Sequence, residues 1–110
     1  MKILNSFNEK VDIKQLKNIL SIASKAGLVC LGSGAAVVAV KKGCCSLLIL
    51  SYALSEKTKR AMLKVAVDFN TTCRVLRISL AEFEAMVGKY VGIVAVIDQG
   101  LAQKMNEILS

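Results

Sequence analysis

Residues 47–50 read Leu47-Leu48-Ile49-Leu50, four large aliphatic side chains in a row. The run is too short for a helix and shows no polar alternation, which marks a strand covered on both faces. A parallel sheet with helices on either side is implied. Working outward, Cys44 and Cys45 lead into this strand, and Ser55 beyond it is placed to cap a helix. In that helix Ala61, Met62, Val65, Ala66 and Phe69 face inward, while Lys57, Arg60 and Lys64 share an outer face. Asn70 suits the left-handed position at its end.

Farther along, residues 73–78 read as a strand, and Ser79-Leu80-Ala81-Glu82 has the reciprocal spacing of a capping box that opens a helix ending at Gly88. Residues 92–97 form the last buried strand, and Asp98 caps a helix that buries Leu101, Ala102, Met105, Ile108 and Leu109. On the N-terminal side, Asp12 caps a helix with Ile13, Leu16, Ile19, Leu20 and Ala23 on one face, closed by Gly27. A short strand follows at 28–31. Gly32-Ser33-Gly34 then turns into a helix over 35–42, ended by Lys41, Lys42 and Gly43. Helices alternating with short apolar strands predict an α/β fold, a three-layer sandwich with helices on both sheet faces. It forms a single domain over 1–110, with residues 1–11 a flexible N-terminal extension.

A chain of 110 residues with 55% apolar content buries one core. Lys and Arg outnumber Asp and Glu by 15 to 8, a net charge of +7 that favours polyanionic partners. The apolar stretches are broken by Lys, Gly or Ser well before the roughly 20 residues that span a bilayer, so no membrane role is expected. The first residues lack the apolar core of a secretory signal, which makes the cytoplasm the expected location. There Cys30, Cys44, Cys45 and Cys73 are reduced, and without ligand spacing or any histidine they read as buried inert thiols rather than a zinc site.

Catalysis finds little support. No histidine is present to serve as a base, and the eight carboxylates are scattered over helix starts and outer faces. The Gly32-Ser33-Gly34 turn opens a helix, where backbone N–H groups hold phosphates, and equally suits close backbone packing. It lacks the spacing of a nucleotide-binding motif, so no cofactor is expected. Basic residues gather at Lys41 and Lys42, at Lys57, Lys59, Arg60 and Lys64, and singly at Lys25 and Lys89. Tyr52 and Tyr90, both in loops beside strands, are the available stacking platforms for nucleic acid.

Ser24-Lys25-Ala26-Gly27, Gly32, Gly43, the 47–50 run, Ser55-Glu56-Lys57-Thr58-Lys59, Ala85-Met86-Val87-Gly88-Lys89 and the segment Val94 to Ala102 follow one another in an order and spacing that resembles the ribosomal L-seven-Ae and L-thirty-e superfamily. The small bacterial YlxQ-like members are most similar, over about residues 13–108. The resemblance implies an α-β-α sandwich around a four-stranded mixed sheet. It also implies binding of kink-turn or related structured RNA through residues 32–38 and 89–93, by a cytoplasmic monomer associated with ribosomes. With the basic residues noted above joined to these two regions, the expected RNA-binding set is Lys25, Gly32, Ser33, Gly34, Lys57, Lys59, Arg60, Lys89, Val91 and Gly92. Where kink-turn binders carry an Asn-Glu pair and a later Lys, this chain has Gly34, Ala35 and Val38, which cannot bond base edges. Ala53 stands where the family has an acidic residue. Two readings follow: an RNA-binding protein without the usual base readers, or a protein-interaction module in which the apolar turn faces a partner chain.

Overall fold

A computed structural model describes Ile3–Ser6 and residues 13–109. Its centre is β3 (Leu47–Ser51), buried along its whole length. β3 runs parallel to β4 (Cys73–Leu76) and antiparallel to β5 (Ile93–Val96), whose outer neighbour is the antiparallel edge strand β2 (Val29–Leu31). These four strands form a mixed sheet, so the wholly parallel arrangement suggested by the 47–50 run gives way to the mixed one. Burial on both faces requires helices on both sides and leaves strand direction open. β1 (Ile3–Ser6) adds a fifth strand beside β4, giving the order β1-β4-β3-β5-β2. Part of the stretch read as a flexible extension is therefore paired in the sheet.

Alternation along the strands separates two cores. Leu47, Ile49, Val94 and Val96 face one layer, made of α1 (Ile13–Lys25), α4 (Leu80–Val87) and α5 (Gln99–Leu109), with Leu16, Leu20, Phe83 and Met105 fully or almost fully enclosed. Leu48, Leu50, Ile93 and Ala95 face the other, made of α2 (Ser33–Lys41) and α3 (Glu56–Asp68) through Ala36, Ala39, Val40, Met62 and Ala66. The second layer is built largely from Ala and Val, which lets its two helices lie close to the sheet. None of the described helices is long and apolar enough to cross a membrane.

Several sequence expectations shift here. Ser33 and Gly34 belong to α2 and not to a turn before it, because Gly32 alone makes the turn at φ 89° and ψ 164°. That backbone region is open to glycine and nearly closed to other residues. Ala61 and Phe69 are exposed and Leu63 packs inward instead, since the buried seam of α3 follows Met62 and Ala66, four residues apart. β4 ends at Leu76, two residues early. Gly27 and Asn70 take the left-handed conformations expected of them, while the Asp12 cap lies outside the described residues.

Arg74 is the cation that hydrophobic patterning misses. It is buried on the α5 side of β4, donating from Nε to the Asn106 side chain at 2.8 Å and from Nη1 to the Leu109 carbonyl at 3.0 Å. Burial lowers its pKa from the ordinary guanidinium value. The guanidinium meets the negative end of α5, where cations are favoured.

Candidate functional site

The C-terminal ends of β2, β3 and β4 and the beginning of β5 meet at one end of the sheet, which brings the starts of α2, α3 and α4 together with the loop over 88–92. The join is tight. The Gly32 N–H donates to the Ile93 carbonyl at 2.9 Å, and the Ser51 N–H donates to the Gly92 carbonyl at 2.8 Å. A β-carbon at Gly92 would lie 2.6 Å from the Leu80 side chain and 2.7 Å from that of Leu54. A larger residue there would have to push both leucine side chains aside, and buried Gly92 serves the packing beneath the loop.

The loop after β3 is fixed by side chains. Ser51 is fully buried; its hydroxyl donates to the Ile78 carbonyl and accepts from the Ala53 N–H. Lys59 reaches back from α3 to donate to the Tyr52 carbonyl at 3.1 Å and pairs with Glu56 at 2.8 Å. Lys59 holds the Glu56 carboxyl below its ordinary pKa, chiefly by that hydrogen bond. Its charge is thus engaged in holding the loop, which the sequence reading of Lys59 as a surface phosphate contact did not foresee.

The remaining residues of the expected RNA-binding set fall into three places. Gly32, Ser33 and Gly34 open α2, with Ser33 and Gly34 exposed and no side chain capping the helix. Lys57 and Arg60 are exposed on the first turns of α3, and Lys89 is exposed on the 88–92 loop, next to half-buried Val91. Val91 adjoins the α2 start, its Cγ1 being 4.0 Å from where a Gly32 β-carbon would sit. Lys25 stands apart in the opposite layer, at the end of α1, where it lines a depression with Ser21, Ser24 and Gly88. The Ser21 hydroxyl ties that helix to the Met86 carbonyl at 2.9 Å.

Tyr52 and Tyr90 both emerge at this end of the sheet, 42% and 62% exposed. An apolar groove of about 440 Å³ runs along α2, lined by Cys30, Gly34, Ala35, Val38, Ala39 and Ile97, with Lys42 and Cys44 also on its walls. Val38 is half exposed on it. Only part of the cysteine expectation matches: Cys73 is buried, Cys30 and Cys45 are half-buried, and Cys44 is exposed because Gly43 turns the chain outward before β3. Burial pushes the Cys45 thiol up to about 11 and the Cys73 thiol up to about 12.

The fold is met in known structures. It is similar to that of the Giardia lamblia 15.5kD RNA binding protein. The TM-score to that structure is 0.72 at 15% sequence identity, covering 94% of this chain and 88% of the Giardia chain. A Bacillus halodurans protein of unknown function superimposes with a TM-score of 0.80 at 22% identity, covering 91% of this chain and 98% of the other. The sequence matches no protein-family model and no curated protein. At these identities the likeness is one of fold, and it agrees with the sandwich and mixed sheet implied by the resemblance.

Proposed function

We propose that this protein binds structured RNA at the end of the sheet where α2 begins, chiefly through phosphate contacts. The observation that carries the reading is the convergence there of an uncapped helix start, Gly32 to Gly34, with exposed Lys89, Lys57 and Arg60. Free N–H groups at a helix start and flanking cations are the groups that meet phosphate oxygens. A solved protein of similar fold is an RNA binding protein, and the net charge of +7 draws the chain toward polyanions. Gly34, Ala35 and Val38 offer no side-chain groups to base edges, so kink-turn sequence readout is weak and charge dominates. The reading includes a cytoplasmic, monomeric, non-enzymatic role of the ribosomal-protein kind, with ribosomal RNA among the targets.

The test is the salt dependence of binding to a structured RNA. The log of affinity falls steeply with the log of salt, and a Lys57→Ala, Arg60→Ala, Lys89→Ala variant flattens the slope by about two to three, near one per lost phosphate contact. An unchanged slope refutes the assignment of these cations. One observation favours a second reading. The apolar groove along α2 is a surface that suits a protein partner; recovery of a stoichiometric protein partner without RNA is the result that favours it.

A further inference from the structure

We propose that Tyr52 and Tyr90 form a stacking platform for unpaired bases, so that the segment taken at this site is single-stranded. The inference rests on the RNA reading and adds the class of segment. The chain has two tyrosines and no tryptophan, and both tyrosines sit at the same end of the sheet with much of each side chain open to solvent. Of the described phenylalanines, Phe83 is fully buried and Phe69 is exposed at the end of α3, away from this end of the sheet.

The backbones beneath the exposed tyrosines are held. Tyr90 is the middle residue of a three-residue turn in which the Val91 N–H donates to the Lys89 carbonyl at 2.9 Å. Its φ is not positive, so this is the common inverse γ-turn, and the side chain at its centre is 62% exposed. Tyr52 donates its N–H to the Leu76 carbonyl at 2.9 Å and receives the Lys59 ammonium on its own carbonyl. The Ser51 N–H bond to the Gly92 carbonyl joins the two loops, one residue before Tyr52 and two after Tyr90. The backbones of both tyrosines are therefore tied to one floor, with Lys89 next to Tyr90 in the chain.

Fixed aromatic faces flanked by cations are the means by which proteins hold single strands. Stacking does not require base-edge readers, which matches their loss at Gly34, Ala35 and Val38. It does require unpaired bases, because a duplex hides the base faces. Lys59, through its hold on the Tyr52 carbonyl, acts here as a positioning residue.

The full chain is titrated with an oligoadenylate of about twelve nucleotides, within the site sizes typical of such grooves, and with a blunt duplex of equal length. Tyrosine emission, which in this chain comes from Tyr52 and Tyr90 alone, is quenched by the single strand. The single strand binds at least about tenfold tighter than the duplex, and Tyr52→Leu and Tyr90→Leu each weaken it about tenfold. The Tyr52→Phe and Tyr90→Phe variants keep the parent affinity within about twofold, since the stacking face survives. Leucine variants that bind like the parent, unquenched emission on binding, or equal affinity for the duplex would each overturn the platform. In those three cases a steep salt slope leaves RNA binding intact. If neither RNA binds and the structured RNA also fails, the RNA reading falls together with the platform.

Discussion

The first turns of α3 and α4 are closed by their own side chains, whereas the first turn of α2 is open. The Ser55 hydroxyl accepts from the Thr58 N–H at 3.2 Å, and Ser79 and Glu82 exchange bonds with each other's backbone in a complete capping box. Gly32 at the head of α2 has no side chain to offer, and its backbone conformation excludes one. All three helices start at the same end of the sheet. Their differences separate two uses of a helix start: capped ends complete the fold internally, and an uncapped, exposed end leaves N–H groups and dipole for an external anion.

The largest test of this contrast places base readers on the open helix. A Gly34→Asn, Ala35→Glu, Val38→Lys variant gains up to three contacts worth about 1 to 3 kcal/mol each, so its affinity for a kink-turn RNA rises more than about a hundredfold over the parent. Parallel titrations with kinked and straight RNA measure the gain, and a folded variant without it breaks the link between this surface and RNA. Next in size is Gly32→Ala. A β-carbon at that φ and ψ costs about 1 to 3 kcal/mol of stability by denaturant unfolding. It also weakens RNA binding by disturbing the bond between Gly32 and Ile93 that seats α2 against the loop.

The smallest effects sharpen the other side of the comparison. Ser55→Ala and Ser79→Ala each cost about 1 kcal/mol of stability through the lost cap. Affinity for RNA stays at the parent level in both, because those N–H groups already have partners within the chain. A cap variant that loses RNA binding while remaining folded would show that the helix start of α3 or α4 itself meets the RNA, beyond the contacts of Lys57 and Arg60.

Much of the fold was legible because its signals are local. The capping box at Ser79 to Glu82 needs four residues to be recognised, and the two-sided burial of β3 is visible in four. The site was half legible. The approach of residues 32–34 to 89–92 followed from the resemblance and not from any local pattern. Lys59 and Gly92 were placed in the site by charge and by position, yet one is engaged by Tyr52 and Glu56, and the other is shut beneath Leu54 and Leu80. Arg74 gave no signal, since a cation inside a strand is expected outside the core until its partners on α5 are known.

The sequence by itself determined the alternation of helices and strands, the residues that start and stop most of them, and the basic balance of the surface. These depend on neighbours within a turn or two of chain, where 3.6-residue and two-residue periods act directly. The strand order β1-β4-β3-β5-β2 was decided only by tertiary structure. That order sets β3 beside β5, and so brings Ser51 to Gly92, Tyr52 to the loop of Tyr90, and the open start of α2 against Val91. Contacts between residues about forty to sixty positions apart leave no period in the chain, because they arise from which strand edges pair and not from the pattern within any one strand.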